Sequence, residues 1–191
     1  MKIEFIIPTY NRTHHLMTII SSIFSQTNNN WFIHVICDGT PTGLLDKIIE
    51  YFEYSDKINF TFLDKRYNDW GHTPRNYGLE KSREEWVVMT GEDNYYTPVF
   101  VDNFLSVVTE GTNFVYCDTL HNWVDNQYIY LNSVLTHGGI DIGSFMCRSK
   151  FAKELKLDTT FPQSDSHFML EYLKKFPGDI KYIKKGLYVH N

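Results

Sequence analysis

Residues 85–98 read EWVVMTGEDNYYTP, and the character of the chain changes abruptly within this stretch. The run EWVVMT is largely apolar and predicts a buried strand. A glycine follows, and then Glu92, Asp93 and Asn94 arrive together. Adjacent carboxylates repel each other, and neither is tolerated in a core without a partner. The stretch is therefore either a solvated turn or a site that attracts a cation.

The same sequence of an apolar run followed by polar residues occurs three times upstream. Strands are predicted at residues 2–8 (KIEFIIP), 31–39 (WFIHVICDG) and 58–65 (INFTFLDK). Helices are predicted over 13–26, with Asn11 or Thr13 as the cap, over 42–54, and from Thr73, with Pro74 at the first helical position. This β-α alternation predicts an open, mostly parallel α/β sheet with helices on both faces.

The second half of the chain is richer in strands and predicts a small antiparallel extension of that sheet. NFVYCDTL and NQYIYLN have the pattern of paired strands, SFMCRS is strand-like, and DIKYIKKGLYVHN forms a terminal strand. PVFVDNFLSVV, KFAKELKL and SDSHFMLEYLKKF have helical patterns. No repeat or linker interrupts the chain, so a single domain over residues 1–191 is expected.

The composition excludes several classes of protein. The 191 residues are 42% hydrophobic and 21% charged, which is typical of a globular protein. The net charge is -5 and no run of Lys or Arg exceeds two, so nucleic acid is not an expected partner. The three cysteines are far apart, without a CxxC pair, and are expected to be reduced core thiols. No apolar run is long enough for a transmembrane segment or a signal peptide, and we expect a cytoplasmic protein.

In an open α/β sheet, ligands bind outside the carboxyl ends of the strands. Polar clusters follow all four predicted strands of the first half, namely Thr9-Tyr10-Asn11-Arg12, Cys37-Asp38-Gly39, Asp64-Lys65-Arg66 and Gly91-Glu92-Asp93-Asn94. A further pair, Arg75-Asn76, lies between the last two of these clusters. The acidic pair therefore belongs to the edge of the sheet where a ligand is expected.

These clusters also carry a family resemblance. IIPTYNR, CDG, TPRNYG and GEDNYYTP resemble the nucleotide-sugar half of a GT-A-fold glycosyltransferase of the family-2-like group. HGGIDIG is similar to the acceptor-side glycine loop, QSDSHFMLEYL to the segment that holds the catalytic base, and LYVHN to the C-terminal metal-binding histidine. The motifs follow in the right order over nearly the whole chain. They divide it into a nucleotide-binding half (1–98) and an acceptor-side half (99–191).

The resemblance implies a metal-dependent, inverting transfer of a sugar from a UDP-sugar to a hydroxyl of a carbohydrate or another acceptor. Asp165 would be the general base, and Asp93 and His190 would hold Mn²⁺ or Mg²⁺. Asp38 would accept the imide N–H of uracil, on which Tyr10 would stack. Arg12 would pair with phosphate, and Glu92 would orient a ribose hydroxyl or a metal-bound water. The nucleotide-binding set that we expect is Pro8, Thr9, Tyr10, Arg12, Asp38, Arg75, Glu92, Asp93 and Asn94.

The sequence also departs from the family pattern. The usual Asp-x-Asp is here Gly91-Glu92-Asp93, although a sister pattern of two adjacent acids followed by Asn is known in the group, and Ser164 stands where glutamate is common. Both departures favour an alternative, a catalytically degenerate nucleotide-sugar-binding module. A sugar nucleotidyltransferase is disfavoured, because PTYNRTHH lacks the glycines of a triphosphate-binding loop.

Several candidate residues have purely structural explanations as well. Asp38 could form an Asx-turn before Gly39, and Ser164 or Asp165 could cap a helix. Arg12 could lie in solvent. Trp70 and Trp123 could stack on an acceptor sugar, but core packing is the expected role for either.

Overall fold

The computed structural model describes residues 1–40, 44–124 and 127–191. Its strands are β1 (Ile3–Thr9), β2 (Trp31–Cys37), β3 (Ile58–Phe62), β4 (Trp86–Met89), β5 (Tyr95–Tyr96), β6 (Thr112–Val124), β7 (Gln127–Leu131), β8 (Phe145–Arg148) and β9 (Asp179–His190). Its helices are α1 (Thr13–Phe24), α2 (Leu44–Phe52), α3 (His72–Lys81), α4 (Phe100–Ser106), α5 (Ser149–Ala152) and α6 (Ser164–Lys175). A 3-10 turn spans Ile142–Ser144.

The first half of the chain forms the parallel part of one sheet. The strands lie in the order β3-β2-β1-β4, and each neighbouring pair is parallel. The register sets Thr9 beside Cys37 and Ile6 beside Met89, so these strands end at one edge. The polar residues that follow them therefore meet there, as the β-α alternation predicts.

The second half extends the same sheet and returns to the same edge. β8 is antiparallel to β4, and β6 is antiparallel to β8, so β6 runs in the direction of β4 again. β9 is parallel to β6, with His190 beside His121. The short β5 closes this side of the sheet against β9, and β7 forms the predicted pair with β6. Because β9 runs in the direction of β4, its last residues lie at the ligand-binding edge.

Apolar side chains cover both faces of the sheet, which confirms the predicted α/β arrangement. On one face, α1, α2 and α4 bury Leu16, Leu45 and Phe104 against the strands. On the other face, α3, α5 and α6 bury Leu79, Ala152 and Tyr172. The cysteines at 37, 117 and 147 are free and buried within these two cores.

Helix α3 packs closely on the sheet because it carries a glycine at the contact. A Cβ built on Gly78 would lie 2.5 Å from Cγ2 of Ile6 and 2.7 Å from Cδ1 of Ile36. Only glycine therefore allows this approach. The approach brings the first turn of α3 to the ligand-binding edge.

Several local predictions differ from the structure. α1 has Arg12 at the N-cap without a side-chain cap, rather than Asn11 or Thr13. α3 begins at His72 after Gly71, so Pro74 is not the first helical residue. KFAKELKL forms only the four-residue α5. β5 was not predicted, because a strand of two residues is too short to show an alternating pattern and forms only where β9 lies beside it.

The predicted helix 42–54 starts outside the described residues, and its described part is α2. No helix in the described ranges combines the length and the apolar character needed to cross a membrane.

Candidate functional site

The carboxyl edge of the sheet opens into a cleft with a volume of about 470 Å³. Every candidate residue of the sequence analysis lines it, namely Pro8, Thr9, Tyr10, Arg12, Asp38, Arg75, Glu92, Asp93, Asn94, Asp165 and His190. The fold thus brings together residues from both halves of the chain.

Glu92 is anchored to the end of β1 rather than exposed on a turn. Its Oε2 accepts a hydrogen bond from the Thr9 hydroxyl and another from the backbone N–H of Tyr10, at 3.2 Å. The side chain is only 12% exposed. Burial raises the pKa of Glu92 to about 7, against the opposing effect of these hydrogen bonds and of Arg12.

Asp93 is the more accessible member of the acidic pair, with 34% of its side chain exposed. Nη1 of Arg12 donates to Oδ2 of Asp93 at 2.9 Å, and Nε of Arg12 lies 3.7 Å from Glu92. Arg12 therefore faces the acidic pair and is not simply a solvent-exposed residue of the helix-initiating loop. A cationic group already occupies the position toward which two carboxylates draw positive charge.

Asp38 holds the loop between β3 and α3. Its two oxygens accept backbone N–H groups of Tyr67 and Asn68, at 2.8 and 3.0 Å. This is a long-range contact and not the Asx-turn considered above. A carboxylate has about four acceptor positions, so Asp38 retains capacity for a ligand N–H. Beside it, the ring of Tyr10 lies 3.8 Å from the guanidinium carbon of Arg66.

Arg75 is a buried cation at the floor of the cleft. Its Nε donates to the carbonyl of Thr90 at 3.0 Å, and its Nη1 donates to that of Trp70 at 2.8 Å. Burial lowers the pKa of Arg75, and the charges of Asp141 and Asp165 oppose that effect. The side chain thus ties the end of β4 to the start of α3 and places a fixed positive charge among acids.

Asp165 lies in the first turn of α6, where Gln163 and not Ser164 or Asp165 is the N-cap residue. Its Oδ1 accepts the N–H of Ser166 at 2.7 Å. Burial raises the pKa of Asp165, and the charge of Asp141 adds to this while Arg75 opposes it. A carboxyl group with a raised pKa inside a cleft is a candidate proton acceptor. Ser164, which replaces the usual glutamate, accepts the N–H of Asp158 and so fixes the preceding loop.

His190 pairs with Asp141, a residue that the sequence analysis did not single out. Nδ1 of His190 donates to Oδ2 of Asp141, whose Oδ1 also accepts the N–H of Gly143 at 2.9 Å. Burial alone would lower the pKa of His190, but Asp141 raises it overall. Burial alone would raise the pKa of Asp141, but His190 lowers it overall. Asp141 stands within HGGIDIG between two isoleucines, so only its acidic type could have drawn attention to it.

Trp70 and His72 also line the cleft. Stacking on an acceptor sugar was the less favoured prediction for Trp70, and His72 was not singled out. The side chain of Trp123 lies outside the described residues. Core packing was the expected role of Trp70, and this was wrong, because 57% of the residue is exposed. Nothing in the linear pattern distinguishes an exposed tryptophan from a buried one.

The side chains of the cleft could coordinate a divalent cation that is also coordinated by a bound ligand. Asp93 offers carboxylate oxygen and His190 offers imidazole nitrogen, both acceptable to Mn²⁺. Within the described ranges, however, no three His, Cys, Asp or Glu side chains form a metal-binding group. Cations held near nucleotides often take one or two protein ligands and complete their shell with phosphate oxygens and water. The residues therefore fit a cation that arrives with a diphosphate.

The family assignment rests on a match over most of the chain. Residues 4–175 match the model of Glycosyl transferase family 2. The chain belongs to this family. This confirms the resemblance inferred from the ordered motifs.

Individual relatives agree with the assignment. An uncharacterized glycosyltransferase of Rickettsia bellii is 28% identical over 133 residues, which cover 70% of this chain and 19% of that protein. An uncharacterized glycosyltransferase of Haemophilus influenzae is 21% identical over 131 residues, which cover 68% of this chain and 42% of that protein. The chain thus spans less than half the length of these relatives.

Solved structures show the same fold. S. aureus TarS 1-349 in complex with UDP-GlcNAc has a TM-score of 0.80 at 18% identity, over 99% of this chain and 58% of that one. Mannosyltransferase PcManGT from Pyrobaculum calidifontis, in complex with GDP-Man and Mn²⁺, has a TM-score of 0.76 at 13% identity, over 99% and 56%. The family-2 chain therefore has the GT-A fold.

Proposed function

We propose that this chain carries the glycosyltransferase activity of its family, transferring a sugar from a UDP-sugar to an acceptor hydroxyl with inversion. One observation carries the proposal. A single cleft places a half-buried carboxyl group with a raised pKa, Asp165, together with the Glu92–Asp93 pair and His190. The relatives named as glycosyltransferases and the UDP-GlcNAc complex of TarS support the reaction class and the donor.

The nucleotide is proposed to lie along the ends of β1 and β2. Asp38 retains acceptor capacity for the imide N–H of uracil, and Tyr10 with the overlying Arg66 offers a planar, cationic surface for the base. Glu92, held by Thr9 and Tyr10, is fixed near the position expected for the ribose. These contacts favour a nucleoside diphosphate over a smaller phosphate ester.

The diphosphate is proposed to lie beside Arg12 and Asp93. When bound there, Mn²⁺ or Mg²⁺ would neutralise the charge that develops on the leaving diphosphate. Asp93 and His190 are the residues that would hold it. Arg12 now binds Asp93, so we expect its guanidinium to exchange that carboxylate for a phosphate oxygen when the nucleotide arrives.

The transfer is one displacement at the anomeric carbon. Asp165 accepts the proton of the acceptor hydroxyl while that oxygen forms a bond to the carbon. The bond from the same carbon to the phosphate oxygen breaks, and its electron pair leaves with UDP. Because attack and departure occur on opposite faces, the configuration inverts. A raised pKa suits Asp165 for this task, because it makes the carboxylate a stronger base.

Release of UDP tests the proposal and separates it from the binding-module alternative. The purified chain is incubated with Mn²⁺ and a panel of UDP-sugars, and UDP is measured with water as the acceptor. The expected result is UDP release by the wild type from at least one donor, and much slower release by Asp165→Asn. Binding of UDP without release from any donor would favour the binding module.

A further inference from the structure

Trp70 is held in an unusual backbone conformation on the wall of the cleft. Its φ is 57°, a left-handed value that bulky residues rarely adopt, yet its side chain remains 57% exposed. A hydrogen bond stabilises this conformation, because Nη1 of Arg75 donates to the backbone carbonyl of Trp70 at 2.8 Å. A strained position that presents an exposed indole to a cleft, rather than burying it, indicates a ligand surface.

His72, the second residue after Trp70, lines the same cleft but is only 3% exposed. In the described ranges, neither of its ring nitrogens has a hydrogen-bond partner of normal geometry. Burial and the charge of Arg75 lower the pKa of His72, while Asp69 and the nearby backbone of Phe161 and Pro162 oppose that effect. A neutral imidazole offers one donor and one acceptor, and backbone carbonyls such as those of Phe161 and Pro162 can use only the donor. The acceptor nitrogen of His72 therefore has no donor among the described residues, which is unfavourable in a buried site.

The position of this wall indicates what lies against it. The ring centroids of Trp70 and His72 are 6.0 Å apart, and Pro162, on the loop that leads into Asp165, also lines the cleft. On the other side, Arg75, which binds the carbonyl of Trp70, places its Nη2 3.9 Å from where a Cβ would stand on Gly91, the residue before the acidic pair. The wall therefore lies between the proposed diphosphate position and the proposed base. In a displacement reaction that interval holds the transferred group.

We propose that Trp70 and His72 form the subsite for the sugar ring of the donor. The indole packs against the apolar C–H face of a pyranose, and the edge of the nearly buried His72 ring borders the position of its hydroxyl or acyl-amino substituents. Neutral aromatic and imidazole groups suit an uncharged hexose better than a uronic acid. The inference rests on the proposed function, since it assigns the sugar position of the same donor.

The test compares UDP with UDP-sugars, so that the sugar contribution is isolated. Calorimetry with Mn²⁺ gives dissociation constants for UDP, UDP-glucose, UDP-galactose, UDP-N-acetylglucosamine and UDP-N-acetylgalactosamine. The variants are Trp70→Ala, Trp70→Phe and His72→Leu. The control is Tyr67→Ala, which removes an exposed aromatic of the same loop that does not line the cleft.

For Trp70→Ala we expect unchanged UDP affinity and about three- to tenfold weaker binding of the preferred UDP-sugar relative to UDP, partly restored in Trp70→Phe. His72→Leu should also weaken binding of the preferred UDP-sugar relative to UDP, and it should change the preference among the four sugars. Circular dichroism establishes whether His72→Leu folds. If that variant does not fold, the affinities of Trp70→Ala test the subsite on their own.

Three results would overturn the subsite. The first is an unchanged ratio of UDP-sugar to UDP affinity in the Trp70 variants. The second is an equal loss for UDP itself, which would place the indole against the nucleotide. The third is a wild type that binds UDP but none of the UDP-sugars. Failure of the wild type to bind UDP would instead contradict the proposed function.

Discussion

Nδ1 of His190 donates a hydrogen bond to the carboxylate of Asp141, and this contact joins the end of β9 to the loop before β8. The bond assigns the proton to Nδ1, because an ionised carboxylate only accepts. In the neutral ring Nε2 carries the lone pair that binds a cation, and because the pKa of His190 is raised, the cation competes there with a proton. The ring also stacks on His121 at 4.2 Å, so its plane is fixed from a second side. A histidine near the end of the chain is thereby held in one orientation.

Asp141→Ala is expected to weaken binding of UDP in the presence of Mn²⁺ by about 10- to 100-fold, because His190 loses its orientation. Binding of UDP without metal should change little. Asp141→Asn is the matched control, because its amide oxygen still accepts a hydrogen bond from Nδ1 of His190. This variant should therefore lose less affinity for UDP in the presence of Mn²⁺. Equal affinities of wild type and Asp141→Ala for UDP with Mn²⁺ would show that the pair has no part in holding the cation.

Asp93→Asn is expected to remove most of the effect of Mn²⁺ on UDP binding. The carboxylate is the more exposed acid of the pair and the one that Arg12 now holds. Calorimetry with and without Mn²⁺ measures the effect, and Asp64→Asn, on a residue that does not line the cleft, is the control. The metal role of Asp93 is contradicted if the mutant responds to Mn²⁺ as the wild type does.

Asp165→Asn is expected to bind UDP normally and to lose about 10²- to 10⁴-fold in turnover. In the wild type, turnover should fall as pH drops through the raised pKa of Asp165, because only the carboxylate accepts a proton. Asp158→Asn, on the preceding loop and outside the cleft lining, should keep both rate and pH profile. Normal turnover by Asp165→Asn would remove this residue from the mechanism.

Glu92→Gln is expected to stabilise the protein above neutral pH. In the folded chain Glu92 keeps its proton up to about pH 7, whereas an unfolded glutamate loses it near 4.5. The folded state therefore binds more protons in this window, and the free energy of unfolding falls as pH rises through it. The loss is at most about 3 kcal/mol for one buried group.

Urea unfolding at pH 5 and pH 8 measures this effect. The free energy of unfolding of Glu92→Gln should lie closer to that of the wild type at pH 5 and should exceed it at pH 8. Glu80→Gln is the control, because its side chain is 67% exposed and this variant, which retains Glu92, should keep the pH profile of the wild type. Parallel pH profiles for wild type and Glu92→Gln would contradict the burial of a protonated Glu92.

The apolar runs determined the strands of the first half and the edge of the sheet at which a ligand is expected. KIEFIIP, WFIHVIC and WVVM are largely apolar, as expected for strands buried on both faces, and their alternation with helices favours a parallel sheet. The polar residues after them then had to meet. The family motifs added His190 and Asp165 to this edge, although they lie far along the chain.

Which side chains touch within the cleft was decided only by the tertiary structure. Asp38 binding the loop at residues 67–68, Arg12 facing Asp93, and Asp141 under His190 join residues separated by 29 to 81 positions. Local propensity carries no information about such pairs, because their energies arise only when strands from both halves are in register. For the same reason Trp70, with ordinary neighbours in sequence, is exposed in the cleft only because Arg75 and the end of β4 hold its backbone there.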